Sequence, residues 1–230
     1  VTTTDRHDAQ YDSKHDSKHD AKHHSKYDIK KAHKRLYAPG SADFTLAEVP
    51  PMDYIAVDGS GDPNTAAAYP AAVQALFGTA YTLKRTSKVD LGRDFVVAPL
   101  EGLWHADDPS VFTERVKSAW SWTMLIALPD WIGADMVAAA AAAAAAQRPG
   151  AFDLVRPLTL TEGLSAQILH IGPYDDEGPT LDRLHRVFMP EHGLAFNGVH
   201  HEIYLSDPRR ADPARLKTVL RQPVRREHPA

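Results

Sequence analysis

One order of elements is legible twice along this chain: strand, Gly/Asp/Pro turn, helix, strand, strand. It restricts the fold to a duplicated α+β design. In the first copy residues 44–49 and 54–57 read as strands, and Asp58-Gly59-Ser60-Gly61-Asp62-Pro63-Asn64 forms a turn that also offers helix caps. A helix is predicted over 65–81, with Ala68, Ala72, Ala75, Leu76 and Tyr81 near one face, followed by strands over 94–104 and 120–128. A second, Ala-rich helix is predicted over 131–147 and stops at Pro149-Gly150. The second copy reads strand 164–171, turn 172–179, helix 180–190, strand 198–206 and strand 217–224. Helices alternating with strands in this way should cover one face of an antiparallel sheet. The duplication predicts pseudo-twofold symmetry, with a central ligand groove along the pseudo-dyad.

Composition fits one main domain, placed at 27–230, behind a tail over 1–26. Of 230 residues, 43% are apolar and 24% charged, enough to build a sizeable core. The absence of cysteine excludes disulfides, thiolate metal sites and a cysteine nucleophile, and fits a reducing compartment. The longest apolar tract, Val137 and the nine alanines after it, is too short and too weakly hydrophobic to span a bilayer. With no secretory segment at the start, a cytoplasmic location is expected.

The tail repeats every four residues, as in Ser13-Lys14-His15-Asp16 and Ser17-Lys18-His19-Asp20. A helix would set Lys14, Lys18, Lys22 and Lys26 beside one another as like charges, so disorder is expected. Six of the thirteen histidines fall within the first 35 residues, where weak transition-metal binding is conceivable; a solvated extension is the plainer reading. Those 35 residues hold nine Lys/Arg against six Asp, which leaves 17 against 24 Asp/Glu for the remainder. An acidic domain displaces few counterions from a phosphate backbone, so direct nucleic-acid binding by it is disfavoured.

The strand 198–206 carries the chemistry. Alternation puts His200, Glu202 and Tyr204 on one face and His201, Ile203 and Leu205 on the other. The Ile/Leu face is expected under helices, which leaves the His/Glu/Tyr face for the groove. Trp120, Trp122, Met124 and Ile126 share a face in the same way, as core or as a wall for a planar apolar ligand. Glu101 either lines the groove or ends a strand, and His170 is either a buried structural histidine or a ligand contact. Asp175, Asp176 and Glu177 read as caps that complement the following helix dipole, a cation site being the other option.

Motifs in a fixed order extend this reading: Pro51-Met52, Ile55-Ala56-Val57-Asp58-Gly59-Ser60-Gly61-Asp62-Pro63-Asn64, Pro99-Leu100-Glu101-Gly102-Leu103-Trp104, Trp120-Ser121-Trp122-Thr123-Met124, Leu169-His170-Ile171-Gly172-Pro173-Tyr174 and His200-His201-Glu202-Ile203-Tyr204-Leu205-Ser206-Asp207-Pro208. From about Tyr27 to Arg225 the chain resembles the GyrI-like small-molecule-binding family, specifically stand-alone members related to the cyclopropanoid cyclopropyl hydrolases. One departure is His105, where the family pattern often has a second Trp after Trp104. The resemblance implies the duplicated strand-helix-strand-strand fold, a groove glutamate matched by Glu202, and three roles among relatives: effector-binding domain, gyrase modulator, and hydrolase of cyclopropane-bearing genotoxins.

The expectation is a binder of planar, hydrophobic or cationic small molecules that detoxifies reactive ones by hydrolysis, with no metal or organic cofactor. Trp104, Trp122 and Tyr174 would stack on the ligand beside His170, His200 and Glu101, and Glu202 would activate water while Tyr204, Tyr174 or His200 stabilises the developing oxyanion. The competing expectation is a non-enzymatic effector sensor or gyrase modulator with a protein partner. A third is a structural domain whose groove is filled by its own side chains.

Overall fold

The computed structural model describes residues 26–106 and 116–227. Of the tail placed at 1–26, residues 1–25 lie outside the described residues. Nine strands form one sheet: β1 Thr45–Val49, β2 Met52–Ser60, β3 Leu100–His105, β4 Ser121–Ala127, β5 Arg156–Leu160, β6 Gly163–Ile171, β7 Leu194–Phe196, β8 His200–Tyr204 and β9 Lys217–Arg226. The order is β1-β6-β9-β8-β3-β4-β2-β5, with β7 paired to β9, and every pairing is antiparallel.

This order is symmetric about the junction of β3 with β8. The first copy supplies β2, β4 and β3 on one side of it and the second supplies β6, β9 and β8 on the other. Each copy also lends its first strand across the seam: β1 pairs with β6, and β5 pairs with β2. The duplication is therefore more complete than the sequence reading, which missed β5. Its Pro157 hid it, and a proline is tolerated because β5 is an edge strand. The three-residue β7 was missed for want of length.

Helix boundaries differ in instructive ways. The first long helix, α3, follows the short N-terminal helices α1 Ile29–Ala32 and α2 Lys34–Tyr37 and runs Ala68–Asp90, well past the predicted end at Tyr81. No breaker occurs between Tyr81 and Gly92, and the packed face continues through Ala80, Leu83 and Ser87. The Ala-rich α4 spans Ala134–Ala145 and packs along α3, where Ala75, Ala144 and Phe152 form a small buried cluster. Alanine thus serves close helix approach as well as helix propensity. In the second copy α5 Gly178–Arg183 passes through a π turn over Leu184–Phe188 into α6 Met189–Glu191. Pro190 has no N–H to give the helical ladder, which favours an irregular turn just before it.

The layering corrects one expectation. Trp122, Trp104 and His200 sit opposite one another across β4, β3 and β8 and so share a face, and Tyr69 of α3 packs edge-on against Trp122, 5.3 Å between ring centres. On the same face Leu220, opposite Glu202, joins Ile168, Leu184 and Met189 in a second core cluster. The long helices therefore lie over the His200/Glu202/Tyr204 face, not over the Ile203 face. They stand apart above the two copies and leave the seam between them uncovered.

The opposite face is closed by α2 and a buried polar cluster. Both His201 ring nitrogens lie 3.0 Å from carboxylates, Nε2 from Glu101 Oε2 and Nδ1 from Glu162 Oε1. Arg221 donates to Glu162 at 3.0 Å and to the Leu36 carbonyl at 2.9 Å, and the Tyr37 hydroxyl donates to Glu101 at 2.8 Å. Two acidic side chains thus meet an imidazole and a guanidinium in one buried cluster. Burial disfavours charge on His201, but Glu162 and Glu101 outweigh it and push the imidazole up to about 9. Burial also opposes ionisation of Glu162, yet His201 and Arg221 draw it down to about 2. Among the described residues no helix is long and apolar enough to cross a membrane.

The His201 contribution to stability is complete below its ordinary value of 6.5 and lost as pH rises through about 9; that of Glu162 is present above 4.5 and lost as pH falls through about 2. The urea midpoint should accordingly fall between pH 6.5 and 9. His201→Gln should lower stability by about 3–5 kcal/mol at pH 6, because it strands buried carboxylates, and should flatten that alkaline decline. An equally steep decline in the variant would show that His201 is not its source.

Candidate functional site

The uncovered seam is a cleft of about 1800 Å³. That exceeds the several hundred cubic ångströms typical of a drug-sized pocket and is large enough in volume for a multi-ring molecule. Its walls come from both copies. Tyr69 and Phe77 of α3 line one side, Trp104 and Trp120 one end, and Tyr174, Glu177 and His185 the other side, with Glu202, Tyr204 and His200 on the floor.

The floor is held by a short hydrogen-bonded chain. Trp104 Nε1–H donates to the Tyr204 hydroxyl at 3.0 Å, and that hydroxyl donates to Glu202 Oε2 at 2.8 Å. Gly102 sits across from Glu202 on β3, and a Cβ there would lie 3.2 Å from both the Tyr204 oxygen and Trp104 Nε1. The missing side chain is what lets these groups approach. His200 Nε2 stands 3.5 Å from Glu202 Oε1, and neither ring nitrogen of His200 has a hydrogen-bond partner among the described residues.

Rings surround this carboxylate. Tyr174 meets Tyr204 edge-on at 5.5 Å, and Trp120 meets Trp104 edge-on at 5.6 Å. Burial, with Glu177 and Glu202 nearby, pushes the Tyr174 phenol up to about 12; burial with Glu202 raises Tyr204 and Tyr69 further. All three phenols keep their protons at neutral pH. His185 is pushed down, by burial first and by His200 second, which favours the neutral ring. Among the described residues no group of three or more His, Asp or Glu side chains is placed to hold a metal ion.

Of the residues singled out from sequence, the fold brings Trp104, Tyr174, His200, Glu202 and Tyr204 together on the cleft and leaves three elsewhere. Trp122 is 1% exposed beneath α3, its ring filling the space over Gly59 and its Nε1 3.3 Å from the Gly61 carbonyl. Trp120, just ahead of the strand, takes the place on the wall expected for Trp122. Glu101 points to the opposite face, fully buried in the His201 cluster, because it alternates with Gly102. His170 is turned into its own loop, Nε2 3.1 Å from the Pro173 carbonyl. Sequence reasoning did not single out Tyr69, which is absent from the apolar face expected of its helix, and it read Glu177 as a helix cap or part of a cation site.

A family model described as a GyrI-like small molecule binding domain matches residues 42–225. An uncharacterized conserved protein from Listeria innocua is 38% identical, with a TM-score of 0.80 over 87% of this chain and 100% of that one. A hydrolase from Listeria innocua is also 38% identical, with a TM-score of 0.76 over the same shares. The C-terminal domain of EcmrR shares the fold at 11% identity and a TM-score of 0.53, covering 80% of this chain and 98% of that one. No curated protein matches the chain.

The Trp104–Tyr204–Glu202 chain has a measurable energetic signature. Tyr204→Phe should cost about 1–2 kcal/mol in urea unfolding, since it removes both the hydrogen bond to Glu202 and the one from Trp104, whose N–H is left without a partner. The double variant with Trp104→Phe should lose less than the sum of the two single losses. Strict additivity would mean that the bond contributes nothing.

Proposed function

We propose that this chain, which belongs to the GyrI-like small-molecule-binding family, holds flat and largely apolar organic molecules in the cleft and opens strained cyclopropane rings among them with water. The observation that carries the reading is the Glu202 carboxylate, fixed by Tyr204 at the floor of a cleft walled by aromatic rings. Ring faces from Tyr69, Trp104, Trp120 and Tyr174 suit stacking on a planar system, and the acid suits a cationic one. The Listeria hydrolase at 38% identity supports turnover over mere binding.

In this mechanism Glu202 orients a water and takes a proton from it as the water oxygen attacks the cyclopropane CH2 carbon. The C–C bond to the ring breaks, and its electrons move through the conjugated system onto the carbonyl oxygen. The aromatic walls keep the reacting atoms near attack distance. Tyr204 serves Glu202 as a positioning group because its proton already points at the carboxylate. Tyr174 and His200 remain free to face the oxyanion. The setting proposed for this chemistry is the cytoplasm, where it would remove reactive aromatic electrophiles without metal or organic cofactor.

Incubation with a spirocyclopropane cyclohexadienone fused to an aromatic system should yield a product heavier by one water. Glu202→Gln should keep affinity within a few-fold and lose turnover by about 10²–10⁴. Unchanged turnover in that variant would remove Glu202 from the mechanism. Intact compound recovered from the wild type would leave a binding protein of the effector-sensing kind.

A further inference from the structure

Tyr204, although it lies on the floor, has no proton to give a ligand oxygen. Tyr204 spends its only proton on Glu202, and its oxygen already accepts from Trp104. Glu177 is placed to give one, alongside Tyr174 and His200. It follows the single turn Tyr174–Asp176 and leads into α5, so the turn that presents the Tyr174 ring also aims the Glu177 side chain at the cleft. The residue is 5% exposed, and its Oε1 has no hydrogen-bond partner among the described residues.

An ionised carboxyl buried without a partner carries a large desolvation cost. Burial, then repulsion from Glu202 and Asp175, pushes Glu177 up to about 10, and the Thr218 hydroxyl acts the other way without matching them. At neutral pH Glu177 is therefore a carboxylic acid, lining the same cleft as Glu202. Two carboxyls on one cleft, one of them held protonated by burial, are suited to opposite roles, one as acid and one as base.

We infer that Glu177 is the hydrogen-bond donor of the cleft for a ring carbonyl on the ligand, and that in hydrolysis it passes its proton to that oxygen. The inference rests on the cleft being the ligand site proposed above, and it narrows the ligand class from flat apolar molecules to flat ring ketones. The step balances. One water O–H bond breaks and its proton goes to Glu202; the water oxygen bonds to the CH2 carbon; the bond from that carbon to the spiro carbon breaks. The released pair reaches the carbonyl oxygen, which takes the Glu177 proton and becomes a phenol. Glu202 releases its proton to solvent, Glu177 regains one from solvent, and one water has been added.

Fluorenone and fluorene, flat tricycles that differ only in the ketone, read the donor without any turnover. Calorimetry on the wild type should show fluorenone preferred by roughly three- to tenfold, the worth of one buried hydrogen bond. Glu177→Leu should bring the ratio to within about twofold, and Glu177→Gln, which keeps an N–H donor, should retain a preference. The infrared carbonyl stretch of fluorenone bound to the wild type should move to lower frequency than in hexane, a reading that needs no variant. An unshifted stretch, the same preference in wild type and Glu177→Leu, or no binding of fluorenone would overturn the inference. With the spirocyclopropane, Glu177→Gln should lose turnover by about 10²-fold or more at similar affinity; turnover within threefold of the wild type would remove the proton transfer. If the wild type leaves that compound intact, the hydrolytic reading fails by itself, and the fluorenone pair still decides the donor.

Discussion

Strand β8 is gripped from behind by His201, and that grip fixes what stands in front of it. The imidazolium lies between Glu101 and Glu162, and Arg221 ties the same carboxylate to the backbone of α2. Since neighbouring side chains on a strand point to opposite faces, anchoring His201 sets the height and register of Glu202, one residue on. A buried ion group of this kind adds little net stability over apolar packing, but it tolerates few alternative arrangements. Its value here is positional: it spans β3, β8 and β9 and joins both copies behind the seam.

The duplication explains why there is a cleft to position. Two copies that lend each other their first strands make one continuous sheet, while each copy keeps its own helix on the same face. The helices cover their own copy and stop short of the pseudo-dyad. Asymmetry then gives the cleft two kinds of wall. The long α3 brings Tyr69 and Phe77, whereas the broken helix of the second copy is preceded by the turn with Tyr174 and Glu177. One wall is apolar, and the other brings an acid to the floor beside Glu202. The architecture is that of the GyrI-like family.

Much of this was legible in the sequence, for physical reasons that also mark where legibility ended. A period of two over His200 to Tyr204 separates Glu202 and Tyr204 from His201 and Ile203 without any structure, because strand geometry enforces it. The same rule could not tell which face the helices cover, since Ile203 is equally well buried by α2 and by ions. Trp120 and Trp122 share a face in the sequence and part in the fold, one on the wall and one under α3, because that choice depends on where a distant helix lands. Glu101 pairs with residues 64 and 100 positions away, and β5 hides behind a proline. Glu177 looks like a cap because acids are common at helix starts; only burial and the approach of Glu202 give it another character.

A crystal structure of the chain with a flat aromatic ketone bound would test the central claim most directly. The account predicts ring density between Tyr69 and Tyr174, resting against Trp104 and Trp120, within contact distance of the Glu202 carboxylate. Density bound away from this seam, or a seam closed over with Glu202 facing bulk solvent, would contradict it.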